Sequence, residues 1–200
     1  MGNRCCVGKR KPEIELPFKT SDIVRLKISW TKIKPEWNKV IKIAFKRWFS
    51  AYPEIWSMFS TAAQNLDDLL ESPIISRHAK KFEELIEIVI YNLHKGEVLV
   101  QSLIDHGRFH HSFGAQQRFA TTLATSLKFA VFTFLQNDES VDDCKTQEAW
   151  DSLFNFLSGL LKLGMRKAIE EEKNSTNDTK QSKKEQQRSM ADNLRHLFEC

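Results

Sequence analysis

From residue 21 to residue 169 apolar side chains recur at helical spacing, and this periodicity rules out a sheet-based fold. Phe82, Leu85, Ile86, Val89, Ile90 and Leu93 fall at i, i+3, i+4 and i+7, on one face of a helix. Phe119, Leu123, Leu127, Val131 and Phe134 or Leu135 repeat the pattern. So do Trp150, Leu153, Phe154, Leu157, Leu161, Gly164 and Met165. Nearer the start, Ile23, Leu26, Ile28 and Trp30, then Val40, Ile43, Ala44 and Phe45, predict a helix on each side of Pro35. A proline there breaks one continuous helix and suits the first turn of a second. Ser72-Pro73 reads as a helix start, with the serine as cap and the proline in the first turn. No period-two apolar run of strand length and no Asn-Gly or Asp-Gly turn occurs. The pattern predicts an all-α domain of six to eight helices.

A chain of 200 residues accommodates one core-bearing domain of about 150 residues with a tail at each end. Residues 1–20 are basic and lack periodicity, 21–169 carry the apolar pattern, and 170–200 turn polar and are expected to lack fixed structure. The 14 Phe and 5 Trp predict a bulky aromatic interior, and the formal charge of +4 is too mild to call for a nucleic-acid partner. Cys5, Cys6, Cys144 and Cys200 form no CxxC pair and no zinc-ligand spacing, which fits reduced thiols. No apolar run reaches the length of a bilayer-crossing helix, and the start has no apolar stretch of the secretory kind.

Five of the six histidines lie between residues 78 and 111. His78 stands four positions before Phe82 and shares its helix face; His110 follows Leu103 by seven and shares that one. Two inward imidazoles from facing helices can hold an iron porphyrin in an aromatic cavity. The bland alternative is a pair of hydrogen-bonded core histidines. His106 and His111 read as solvent-facing or hydrogen-bonding, and His94 as a surface residue at a helix end.

Short motifs in order carry a family resemblance over Ser21 to Ile169. Ala51-Tyr52-Pro53-Glu54 followed by Phe59 is similar to the proline that opens the short third helix of a globin and the phenylalanine that wedges its haem. Phe45, fourteen residues earlier, matches a second-helix position lining the distal pocket. Ser72-Pro73-Ile74-Ile75-Ser76-Arg77-His78 resembles the start of the distal-histidine helix in neuroglobin-type globins. Leu103-Ile104-Asp105-His106-Gly107-Arg108-Phe109-His110 resembles the proximal segment, Leu-x-x-x-Gly-x-x-His. Phe119 and Trp150 stand where the last two helices open. The chain thus resembles the globin family, specifically its neuroglobin-like members and the acylated kind found in nematodes.

That resemblance implies a three-over-three globin fold, haem b (iron protoporphyrin IX) as cofactor, His110 as proximal ligand and His78 as the distal histidine. It also implies that Phe45, Phe59 and Phe82 line the haem and that Lys81 meets a haem propionate. Phe82 replaces the small aliphatic residue usual four positions after the distal histidine. With Phe45 it would crowd the distal side and favour His78 as direct iron ligand; the alternative is that Phe82 only repacks the core.

The start, Met-Gly-Asn-Arg-Cys-Cys, offers Gly2 for myristoylation and Cys5 or Cys6 for palmitoylation, although Cys6 stands where Ser or Thr is usual. One acyl chain anchors weakly, and a second chain or a basic cluster makes the anchor stable. Arg4, Lys9, Arg10 and Lys11 supply the cluster, at roughly 1 kcal/mol each beside an anionic leaflet. The expectation is therefore a lipid-anchored protein on the cytoplasmic side of the plasma membrane or another membrane, with a cytoplasmic protein as the alternative. Three functions are compatible with these features: a six-coordinate haem protein in electron transfer or redox signalling, a reversible oxygen binder or sensor with an open sixth site, and a nitric oxide dioxygenase or peroxidase. No catalytic residue and no reductase domain singles out the third. A helical module that has lost haem is disfavoured by the presence of both histidines and Phe59.

Overall fold

The computed structural model describes residues 16–59, 63–136 and 143–198, with side chains as far as 175. Seven α-helices and two 3-10 segments make up the described residues, without a strand. They are α1 (Thr20–Ile33), α2 (Trp37–Ala51), α3 (Leu66–Glu71), α4 (Pro73–Asn92), α5 (Gly96–Ser112), α6 (Gln117–Leu135) and α7 (Cys144–Phe198). The break around Pro35 is real, but the proline sits in a 3-10 turn, Lys34–Glu36, just before α2. Pro53 likewise opens a 3-10 segment, Pro53–Phe59. Ser72 caps α4 as expected, its side chain accepting from the Ile75 N–H, and Pro73 fills the first turn. The Asn65 side chain caps α3 by accepting from the Asp68 N–H at 2.9 Å.

Helix α6 packs on α2 and α7, α1 crosses α7 and α4, and α5 lies along α7. The core is aromatic, as the composition predicts. Trp30 meets Trp37 edge-on with ring centres 5.4 Å apart, and Trp150 is fully buried beside them. Burying a side chain of this size stabilises the fold by about 1.5–3 kcal/mol. Three of the five indole N–H groups find an acceptor: Trp150 donates to Ser29 Oγ at 2.8 Å, Trp37 to the Ala79 carbonyl at 3.2 Å, and Trp48 to Thr122 Oγ1 at 2.9 Å, whereas those of Trp30 and Trp56 are buried without a protein partner. These bonds join α1 to α7, α2 to α4, and α2 to α6, so the aromatic core also fixes helix register.

Helices α4 and α5 touch only sparsely, whereas α5 and α7 approach backbone to backbone at Gly107 and Gly164. The backbone of α7 continues helical through the polar stretch that opens at Glu170, where side chains 170–175 are exposed.

Candidate functional site

His78 sits in the second turn of α4, between the buried Ile75 and Ala79, so the Ser72-Pro73 start sets which way it faces. It is half-buried in a ring of aromatic groups. Its ring centre lies 6.0 Å from that of Phe45 and 5.6 Å from that of Phe59, the latter edge-on at 85°. Burial pushes the His78 imidazole down to about 4, assisted by His110, His106 and Lys81. Near neutral pH the ring is therefore uncharged and keeps a nitrogen lone pair.

Opposite, from α5, comes His110. The two ring centres are 6.5 Å apart with the planes at 73°. The Nδ1–H of His110 donates to the carbonyl of His106 at 2.9 Å. A carbonyl only accepts, so Nδ1 carries a proton, and Nε2 is the nitrogen that remains to face a metal. This outer hydrogen bond is the device that orients a metal-binding imidazole and raises its basicity.

The pair fits one metal atom between two imidazoles. A metal–nitrogen bond of about 2 Å on each side, plus roughly 1 Å from each nitrogen to its ring centre, spans roughly 6 Å. The described residues contain no group of three or more His, Cys, Asp or Glu arranged to hold a metal. Two facing imidazoles with aromatic flanks would suit a metal whose other ligands come from a flat macrocycle. The sparse contact between α4 and α5 is compatible with such a group lying between them.

The remaining expected residues fall in different places. Phe45 and Phe59 lie against His78. Phe82 stacks flat on Trp37, ring centres 6.0 Å apart and planes 7° apart, which brings its ring to α2. Lys81 is exposed, and its charge reaches His78. His111 bonds Glu172 Oε1 at 3.2 Å, and His94 is exposed at the end of α4, both as expected. His106 differs from the sequence expectation of a solvent-facing or hydrogen-bonding side chain. Its ring is half-buried, 4.5 Å from that of His110, and burial and then His110 lower it to about 4. The i, i+4 spacing to His110 is the sequence signal for that contact. Gly2, Cys5 and Cys6 lie outside the described residues. No helix among the described residues is long and apolar enough to cross a membrane.

The globin family profile matches residues 42–160, more than half of the chain and including both α4 and α5. The chain belongs to the globin family. A solved structure of a hexacoordinated heme protein from an anhydrobiotic tardigrade, determined at pH 4, is similar with a TM-score of 0.67. Its sequence identity is 18%, over 76% of this chain and 97% of that one, so the likeness is one of fold. Comparison with curated proteins gives no match.

Proposed function

We propose that this globin binds haem b, with His110 as proximal ligand and His78 as second axial ligand, and that it acts in electron transfer or redox signalling. The single observation that carries the reading is the imidazole pair: ring centres 6.5 Å apart, with the His110 Nδ1–H bonded to the His106 carbonyl. Haem, when bound, supplies an iron that cycles between ferric and ferrous states. The chain's own contribution is to hold two imidazoles facing each other and to exclude water with Phe45 and Phe59. The tardigrade protein of similar fold, described as a hexacoordinated heme protein, supports the six-coordinate form.

The tether belongs to the same proposal. Myristate on Gly2 and palmitate on Cys5 or Cys6, beside Arg4, Lys9, Arg10 and Lys11, would hold the iron at the cytoplasmic face of a membrane, like the neuroglobin-related acylated globins it resembles. Lys81, exposed near His78, suits a haem propionate. A second reading, reversible oxygen binding with His78 as hydrogen-bond donor, draws support from Phe82, whose stacking on Trp37 relieves part of the expected crowding.

The test is replacement of each histidine in the haem-loaded full chain. His110→Ala should lose haem, and His78→Leu should keep it and become five-coordinate. Haem retention by His110→Ala with an unaltered spectrum would overturn the assignment.

A further inference from the structure

A Cβ placed on Gly107 would run into the Leu161 carbonyl oxygen and stand 3.0 Å from the Gly164 Cα. One placed on Gly164 would run into the Ile104 carbonyl oxygen and stand 2.9 Å from the Gly107 Cα. The obstacles on both sides are main-chain atoms, so no side-chain rotation relieves them. Gly159, five residues earlier on α7, has open space where its Cβ would be. A glycine inside a helix costs stability relative to alanine, and close backbone approach is the reason to keep one.

The part of α5 that crosses α7 is the part that carries His110. Gly107 precedes His110 by three residues. On either side of His110, Arg108 reaches Glu171 Oε1 at 2.8 Å and His111 meets Glu172 Oε1 at 3.2 Å. Helix α7 therefore holds α5 at three points bracketing the imidazole, while α4 barely touches α5.

We propose that Gly107 and Gly164 are a positioning pair: their backbone contact sets how far the His110 imidazole stands from His78, and so how the two imidazoles would hold a haem iron. The inference rests on His110 being the proximal ligand. A side chain at either glycine pushes α5 off α7 and changes the 6.5 Å separation of the ring centres. These two side-chain contacts are partly exposed and contribute orientation more than energy.

The test uses the full chain as Gly164→Ala, Gly107→Ala and Gly159→Ala, each read in two ways. In the haem-free chain, amide hydrogen exchange over residues 103–111 should speed up by roughly tenfold or more in the first two variants and stay as wild type in the third. In the haem-loaded ferrous chain, the first two should shift the balance of six- and five-coordinate spectra while Gly159→Ala leaves it unchanged. Unaltered exchange and an unaltered spectrum in both crossing variants would overturn the proposal. Loss of helicity throughout the chain in both, with no selective change in α5, would also overturn it, because the glycines would then serve folding alone. If the wild type takes up no haem, the ligand reading fails, whereas the haem-free exchange still reports on the crossing.

Discussion

His106 touches His110 twice: its carbonyl accepts the His110 Nδ1–H at 2.9 Å, and its ring centre lies 4.5 Å from the His110 ring. The first contact is made by the main chain and survives any substitution at position 106; the second is lost with the imidazole. His106→Leu should therefore retain haem as wild type does, measured by the haem absorbance kept after gel filtration. Haem loss in this variant would mean that the ring, and not the carbonyl, supports His110.

The same cluster makes the haem-free chain acid-labile. His78 and His106 both sit at about 4 in the folded chain against 6.5 for an ordinary imidazole, lowered first by burial. Between those values the unfolded chain binds more protons than the folded one. Stability therefore rises with pH from about 4 to about 6.5 and levels off above. For the half-buried His78 the shift corresponds to on the order of 3 kcal/mol. Urea midpoints of the haem-free chain near pH 5 and near pH 7 check this, and equal midpoints would contradict it.

Phe45 and Phe82 should separate on substitution, because only Phe45 has its ring against His78. Phe45→Leu should speed carbon monoxide binding to the ferrous haem-loaded chain, since it opens space beside the distal imidazole. Phe82→Leu should cost about 1–3 kcal/mol of stability through lost packing on Trp37 and leave the binding rate near wild type. Stopped-flow mixing and urea titration distinguish the two, and equal rate changes would refute the placement.

Local contacts are legible in the sequence, and contacts between helices are not. Helix α4 is readable almost to its ends, because Ser72-Pro73 and the run from Phe82 to Leu93 are signals within one helix. His78 and His110 are readable as inward-facing for the same reason, and family order brings them together. The Phe82–Trp37 stack is hidden: Trp37 shares the apolar face of Val40, Ile41 and Ala44, which marks it as inward but not which helix it meets, and only the α2–α4 crossing brings the rings together. Gly164 reads as one more member of α7's apolar face, and Gly107 only as the glycine of the Leu-x-x-x-Gly-x-x-His pattern. That the facing backbone leaves no room for a side chain at either position appears only when α5 lies on α7. The burial of the His106 ring is likewise decided by neighbouring helices, which no pattern within α5 reports.

The core offers a prediction independent of haem. Ser29 Oγ accepts from the Trp150 indole and donates to the Arg25 carbonyl at 2.8 Å. Ser29→Ala leaves a fully buried indole N–H without an acceptor, which costs about 1–3 kcal/mol. A urea midpoint unchanged from wild type would show that the bond contributes nothing net.

The most direct measurement of axial ligation by both histidines is the visible spectrum of the haem-loaded full chain, reduced and without added ligand. Two sharp, split bands are predicted, because His78 and His110 both bind the iron, and His78→Leu should collapse them into one broad band. A single broad band in the wild type, sharpening only when carbon monoxide is added, would contradict that ligation.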